Sequence, residues 1–227
     1  MSEGKYKFPN NTIVELPPNY STNSEDENNA INILNEDLSK WESQINKPNL
    51  KIYSKLTKVT DMKNEKWDTA MIYVDATIDK SAAAVSERLA DPDLMEKLGE
   101  EKSKTIDIKE TDNEKIIEQY GNMKMPFPFS NRDFVTRYTV LKNYGGIQGS
   151  SLSYVKSIEH PDYPEKSSPV RAEFANRVLY VKKINENQCK LFVVNNVNLK
   201  VSIGTSFMGG KGAKMQEEWV EKLTKIA

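Results

Sequence analysis

Residues 170–198 of the chain read VRAEFANRVLYVKKINENQCKLFVVNNVN, and residues 208–227 read MGGKGAKMQEEWVEKLTKIA. The first stretch is rich in β-branched and aromatic residues on both sides of residues 185–187, which are turn-forming, so it predicts two antiparallel strands. The second stretch predicts an amphipathic C-terminal helix because its apolar residues recur at helical spacing. One face of that helix carries Met215, Trp219, Leu223 and Ile226.

Strand-forming segments also fill much of the chain before residue 170. Apolar and polar residues alternate from Leu50 onward, and several later segments are rich in β-formers between turn residues. Predicted strands cover residues 67–78, 105–110, 115–120, 134–142 and 152–159. Most neighbouring pairs are separated by short turns, which favours antiparallel pairing.

The beginning of the chain has a different character. Residues 1–23 are rich in Asn, Ser and Pro and show little periodicity, so we expect a flexible N-terminal tail. Ser24 and Glu27 have the spacing of a capping box, and the apolar residues after them keep helical spacing until Pro48. The pattern therefore predicts one amphipathic helix across this region.

Two short helices are expected between the early strands. Residues 81–89 are rich in alanine, and Asp91 followed by Pro92 predicts the start of a second helix that ends near Gly99. The resulting order predicts an α+β fold with a single antiparallel sheet. A terminal helix of about 20 residues is roughly 30 Å long and cannot fill all the space beneath a wide curved sheet, so a cavity is expected there.

Composition excludes several classes of function. The chain has 227 residues and a formal net charge of -1, which removes the electrostatic basis for a nucleic-acid partner. It has one cysteine, Cys189, and one histidine, His160, which lies in a proline-rich loop; we therefore expect no metal site, no cofactor and no catalytic triad. Apolar runs are too short for a membrane span, and no signal peptide is apparent, so we expect a cytoplasmic protein.

Three ordered motifs resemble those of START (StAR-related lipid transfer) domains. Residues 126–135, PFPFSNRDFV, resemble the family's P-x-P-x-S-x-R-D-F-V segment, and residues 157–164 are similar to its S-x-x-H-P-x-x-P loop. Val170-Arg171-Ala172 is similar to its V-R-A strand, and the terminal helix follows in the expected place. The resemblance covers residues 27–227 and implies a helix-grip fold, in which a curved antiparallel sheet wraps the long C-terminal helix around a lipid tunnel.

The resemblance also implies a function. We expect residues 24–227 to form a non-catalytic domain that binds a single phospholipid or other amphipathic lipid and transfers it between membranes. The expected partners are the lipid and, transiently, a membrane surface, so peripheral membrane association is compatible with a cytoplasmic, monomeric protein. Two alternatives stay open: an enzyme of cyclase or hydrolase type on the same scaffold, and an interaction module whose groove holds a partner's helix.

The lining of the tunnel follows from parity along the strands. Sterol-binding relatives bury a Glu/Arg pair, and a gap-free count places those positions at Gln119 and Tyr138, so that ion pair is absent here. If Tyr138 faces inward, alternate residues of its strand do too, and we assign the strand after residue 170 in the same way, which places Tyr180 inward and Arg177 outward. The candidate lipid-binding residues are Gln119, Phe134, Thr136, Tyr138, Val140, Ala172, Phe174, Asn176, Val178, Met215 and Trp219. The alternative is that these side chains fill a solid core.

Two further expectations concern moving and supporting parts. Gly209, Gly210 and Gly212 precede the apolar face of the terminal helix, which suggests that this helix is a lid with backbone freedom at its base, assisted by the loop at residues 143–149. Arg132 and Asp133 are interpreted as structural, as an ion pair that fixes a loop.

Overall fold

A computed structural model describes residues 12–14, 16–17, 20–22, 24–98, 103–125, 127–201 and 205–227, without the side chains of residues 205–209. Within these residues the helices are α1 (Glu25–Leu34), α2 (Ala82–Leu89), α3 (Leu94–Lys97) and α4 (Thr205–Ile226). The strands are β1 (Glu42–Lys47), β2 (Leu50–Thr60), β3 (Lys66–Ile78), β4 (Lys104–Glu110), β5 (Glu114–Met123), β6 (Arg132–Lys142), β7 (Ser151–Ser157), β8 (Val170–Arg171), β9 (Glu173–Asn185) and β10 (Gln188–Asn198).

The strands form one open sheet. Nine of them follow the order β1-β2-β3-β10-β9-β7-β6-β5-β4, and every adjacent pair is antiparallel. The short strand β8 pairs in parallel with the start of β6. The predicted α+β class, with two short helices between β3 and β4 and a long helix at the end, is therefore confirmed.

The inner face of the sheet, which carries α2 and α4, holds the larger hydrophobic core. Alternate residues of β3, β9 and β10 pack there against both helices. The fully buried members include Ile52, Val74, Val85, Val181, Leu191 and Leu223. Gly212 lets α4 approach the sheet closely, because a Cβ at this position would overlap the Cδ1 atom of Ile72.

The outer face is covered as well, by α1 and part of the chain before it. Leu34 of α1 and Tyr73 of β3 are fully buried, and the Tyr73 hydroxyl donates to the Leu34 carbonyl oxygen at 2.9 Å. Most of the predicted tail lies outside the described residues, but Val14 is fully buried in this outer cluster. Because both faces of β3 are buried, its central residues form a continuous apolar run.

The predicted N-terminal helix is too long. It begins as expected, with Ser24 Oγ accepting from the Glu27 backbone N–H at 3.1 Å, but it ends at Leu34, and Glu42–Lys47 form strand β1. Asn35 ends the helix while its side-chain oxygen accepts the backbone N–H groups of residues 13 and 14. The helical spacing of apolar residues continues beyond Leu34 by coincidence, and residues 42–47 form a strand because β1 pairs with β2.

The second short helix starts later than predicted. Asp93, rather than Asp91, precedes its first residue, and the Asp91 carboxylate instead accepts the Asp93 backbone N–H at 2.9 Å. Asp91 therefore stabilises a turn before the helix, a role that its sequence position alone does not separate from capping.

A buried ion pair joins two of the START-like motifs, with partners other than those predicted. Asp133 binds Arg171 through two hydrogen bonds of 2.9 and 3.0 Å, and both side chains are at least 94% buried. Arg132 instead donates to the backbone carbonyl oxygens of Ser130 and Leu199. The expected Arg132–Asp133 pair is therefore wrong, because adjacent residues of a strand point to opposite faces.

Candidate functional site

A cavity of about 320 Å³ lies between the inner face of the sheet, the α2–α3 segment and α4, and it is partly open to solvent. Its volume is at the lower end of the roughly 300–1,000 Å³ that small-molecule sites occupy. The lining residues from the sheet are Gln119, Gly121, Asn122, Met123, Phe134, Thr136, Tyr138, Val155, Phe174, Arg177 and Leu179. Other segments contribute Leu89, Asp91, Pro92, Leu94, Met95, Ser103, Lys124 and Trp219.

Strand β6 supplies the central wall as parity predicted. Phe134, Thr136 and Tyr138 all line the cavity, and the Phe134 ring lies 5.1 Å from that of Phe174 on β9. Burial raises the pKa of the Tyr138 phenol, so the group stays protonated and available as a hydrogen-bond donor. Val140 is on the same face of β6 and is buried, but it lies beyond the described lining, so its predicted place in the cavity is wrong.

Strand β9 contains a β-bulge that the sequence did not reveal. Asn196 pairs with Asn176 but Val197 pairs with Phe174, which leaves Ala175 as an extra residue. The residues of β9 that follow the bulge therefore lie on the face opposite to the one that simple alternation from Phe174 predicts.

The exchange corrects several predicted orientations. Asn176 lies outside the lining, and Val178 and Tyr180, which we also expected to face inward, belong to the outer cluster. Arg177, which we expected to face outward, lines the cavity together with Leu179. Its guanidinium carbon lies 5.3 Å from the centre of the Phe174 ring.

Of the remaining candidate lipid-binding residues, some line the cavity and others do not. Trp219 of α4 lines the cavity, whereas Met215, one turn earlier, is 55% exposed. Ala172 is fully buried between β8 and β9, and its backbone N–H donates to the Asp133 carbonyl oxygen. Gln119 lines the cavity, but its amide donates to the Pro92 carbonyl oxygen at 2.8 Å and so ties β5 to the α2–α3 segment.

Most of the lining that sequence reasoning missed comes from connecting segments. Leu89, Pro92, Leu94 and Met95 close one side, and no periodicity within strands could have placed them there. Val155 is different, because it lies opposite Tyr138 in the β6–β7 pair. The register of that hairpin was the signal that could have found it.

Among the described lining residues one carries a carboxylate, Asp91, and this group already has partners. Asp91 forms ion pairs with Lys97 and with Arg88, the latter at 3.2 Å. Burial by itself would raise the pKa of Asp91, but hydrogen bonds from Lys97 and from the Asp93 N–H, with the nearby positive charges, bring it below its ordinary value. Asp91 therefore stays ionised and paired, which makes it a poor proton carrier at neutral pH.

The loop expected to assist the lid is elsewhere. Residues 143–149 pack on α2, where Ser86 Oγ donates to the Gly149 carbonyl oxygen at 2.8 Å, and they contribute nothing to the described lining. Gly210 and Gly212 lie inside α4 rather than at its base, since the helix begins at Thr205. Gly209 also falls within the helix, among the residues whose side chains are undescribed.

A sheet that grips a terminal helix above an apolar cavity matches the expectation from the sequence motifs. The family model named START domain matches residues 24–225. The chain belongs to the START domain family. A search of curated protein sequences finds none that matches this START domain.

Solved structures show the same fold at low sequence identity. Human STARD10 is 16% identical with a TM-score of 0.70, and the match covers 91% of this START domain and 80% of that chain. The human StarD13 (DLC2) lipid transfer and protein localization domain is 14% identical, with a TM-score of 0.61 and coverage of 82% and 88%. Human StAR-related lipid transfer protein 5 is 13% identical, with a TM-score of 0.61 and coverage of 88% and 93%.

Two further properties of this START domain bear on the site. No α-helix in the described part of the chain has the length and apolar character to cross a bilayer. Within the same residues, no three His, Cys, Asp or Glu side chains come together as metal ligands.

Proposed function

We propose that this START domain, residues 24–227, binds one amphipathic lipid in the cavity and carries it between membranes without a chemical step. The observation that carries the proposal is the cavity itself, which has a mostly apolar wall of strand side chains and Trp219 of α4 above it. The descriptions of two similar structures name lipid transfer, which supports the same function.

The energetics favour such a carrier. Bringing a 16-carbon chain from a bilayer into water costs about 13 kcal/mol at ~0.8 kcal/mol per methylene, so unassisted exchange is very slow. A cavity lined by Phe134, Phe174 and Leu179 removes most of that cost because the chain stays in apolar surroundings. The remaining barrier is the opening of the cavity at a membrane surface.

The loop between β5 and β6 is suited to membrane contact. Phe127 is 98% exposed and Phe129 is 40% exposed, while Met123 at the end of β5 and Lys124 at the start of the loop line the cavity. Aromatic side chains partition into the interfacial region of bilayers, and lysine is attracted to anionic headgroups. The loop therefore offers a membrane contact directly beside the cavity.

Mass spectrometry under native conditions tests binding. The purified chain is expected to carry one lipid molecule per protein, because an apolar cavity retains an apolar ligand. Denaturation should release this lipid. A bound protein partner with no lipid would instead support an interaction module and contradict the proposal.

Phe127→Ala tests the membrane contact. We expect the variant to transfer fluorescent phospholipid between anionic vesicles several-fold more slowly than the parent protein, with unchanged equilibrium binding, since only docking is affected. Ile184→Ala is the matched control: Ile184 is 47% exposed but lies in the β9–β10 hairpin at the opposite end of the sheet. Equal transfer rates for both variants would assign the membrane contact to another surface.

A further inference from the structure

The indole of Trp219 is a buried donor without an acceptor. Trp219 lines the cavity and is 7% exposed, and its Nε1 atom has no hydrogen-bond partner among the described residues. Leaving a buried N–H unpaired is unfavourable, so most buried Trp side chains find a partner. A ligand in the cavity that carries a hydrogen-bond acceptor would satisfy this N–H.

A second unpartnered polar atom lies at the same wall. Asn195 Oδ1 is buried and also has no partner among the described residues. Asn195 on β10 is paired with the cavity residue Arg177 on β9 and, on its other side, with Ile72 on β3. Paired residues in antiparallel strands project to the same face, so Asn195 lies on the inner face beside Arg177.

These residues form a polar corner, defined here as Arg177, Asn195 and Trp219. Trp219 and Arg177 line the same cavity, and Gly212 of α4 lies against Ile72, the β3 partner of Asn195. Leu179, Phe174 and Val155 are apolar neighbours in the same wall. A small number of polar groups in an apolar pocket fixes the orientation of a ligand.

We propose that Trp219 and Arg177 of the polar corner bind the acceptor oxygens of the lipid, with the Trp219 N–H as a direct donor to an ester carbonyl or phosphate oxygen, while Asn195 Oδ1, an acceptor, is open only to a donor group of the ligand. This inference rests on the proposed function and adds to it, because it says which chemical group the site recognises and which residues recognise it. Arg177 contributes a charge-assisted donor at the same place, and such bonds to carboxylate or phosphate oxygens are the stronger ones. A pure hydrocarbon fills the cavity without satisfying Trp219.

Indole N–H signals in the nitrogen–proton NMR spectrum report on the proposal without any substitution. The chain has three tryptophans, and Trp67 is an internal reference because its Nε1 donates to Asp61 Oδ2 at 3.2 Å. On addition of phosphatidylcholine to lipid-free protein we expect the Trp219 signal to move downfield, as for a new hydrogen bond, while the signals of Trp41 and Trp67 stay in place. Hexadecane, which has no acceptor, should not cause this downfield shift.

Two modified lipids distinguish the sources of the acceptor oxygen. A diether phosphatidylcholine lacks the ester carbonyls, and a diacylglycerol lacks the phosphate. If the carbonyl accepts from Trp219, only the diacylglycerol reproduces the downfield shift; if the phosphate accepts, only the diether lipid does. Either result supports the proposal and names the group.

Trp219→Phe tests the energetic contribution, since it keeps an aromatic ring and removes the N–H. We expect affinity for phosphatidylcholine to fall about three- to tenfold if the ester carbonyl is the acceptor, as for the loss of one neutral hydrogen bond, and further if the charged phosphate is. Affinity for hexadecane should fall less. Trp41→Phe is the matched control, because Trp41 is equally buried, 7% exposed, but belongs to the outer cluster.

Native mass spectrometry of the same samples tests lipid carriage separately from lipid recognition by the polar corner. Lipid bound one to one with an unmoved Trp219 signal would overturn the polar corner and leave lipid carriage intact, with ordered water as the partner of the indole. No bound lipid under any condition would overturn both. Equal losses of affinity for phosphatidylcholine and hexadecane in Trp219→Phe would assign Trp219 a packing role and also overturn the inference.

Discussion

Arg171 and Arg137 carry the same kind of ion pair in two different environments. Arg171 binds Asp133 with both side chains at least 94% buried, whereas the Arg137 side chain, 49% exposed, binds Glu118 at 2.8 Å near the surface. Removing one partner of a buried pair leaves an uncompensated charge, while exposed pairs contribute little. Burial rather than hydrogen-bond geometry therefore determines how much each ion pair contributes to stability.

We expect Arg171→Ala to lower the free energy of unfolding by about 3–5 kcal/mol. Arg137→Ala, the matched control on β6, should lower it by less than about 1 kcal/mol. Urea denaturation followed by circular dichroism measures both values. Similar losses for the two variants would mean that the Asp133–Arg171 pair does not hold the motifs together.

Asp61 gives the stability of the protein a predictable dependence on pH. Burial alone would raise the pKa of Asp61, but hydrogen bonds from the Glu65 N–H, Trp67 and Lys200, among others, hold it below its ordinary value of 3.8. Because the pKa is lower in the folded state, the unfolded chain binds more protons in acid. The stabilisation is complete above the unfolded pKa and is lost as pH falls through the folded pKa.

Asp61→Asn removes this contribution at every pH. Between pH 5 and pH 3 we expect the parent protein to lose more stability than the variant, so that the two unfolding free energies converge in acid. Urea unfolding at several pH values provides the measurement. Curves that stay parallel over this range would show that Asp61 titrates alike in the folded and unfolded states.

At the scale of elements, α4 combines a tight contact with an exposed position only two residues away. A Cβ at residue 212 would overlap Ile72 Cδ1, whereas a Cβ at residue 210 would meet nothing nearer than Gln44 Oε1 at 3.7 Å. Alanine favours a helix over glycine by about 1 kcal/mol at either position. The two glycines therefore differ in packing and not in helix propensity.

We expect Gly210→Ala to raise stability by up to about 1 kcal/mol. Gly212→Ala should instead be less stable than Gly210→Ala by about 1 kcal/mol, because the terminal methyl group of the Ile72 side chain must move aside. If Gly212→Ala were as stable as Gly210→Ala, the close approach of α4 to β3 would be adaptable and the lid interpretation would need another contact.

At the scale of the whole molecule, occupancy of the cavity should stabilise the fold. The cavity lies between the sheet, α4 and the α2–α3 segment, so it exists only when these parts have assembled. A ligand that binds only the folded state adds about 2.7 kcal/mol at a hundred times its Kd. Lipid binding and global stability are therefore linked.

Lysophosphatidylcholine below its critical micelle concentration should raise the thermal midpoint of unfolding by several degrees. Glycerophosphocholine, the same headgroup without a chain, is the control and should have no effect, because the apolar wall then gains nothing. Differential scanning calorimetry measures both. An unchanged midpoint at saturating lysolipid would contradict binding in the cavity.

The sequence by itself determined the α+β class, the terminal helix, most of the strands and six of the 19 residues that line the cavity. Alternation along β6 placed Phe134, Thr136 and Tyr138 correctly, and helical spacing placed Trp219. These features depend on neighbours within one element, where the pattern of apolar residues directly reflects which face is buried.

Only the tertiary structure decided the rest. After the β-bulge at Ala175 the residues of β9 exchange faces, so Arg177 rather than Val178 lies in the cavity. The sequence of β9 does not show this because the register depends on the partner strand β10. Pairing with β2 turned a predicted helical segment into β1 for the same reason. Contacts between segments distant in sequence fix these features, and no local spacing of residues encodes them.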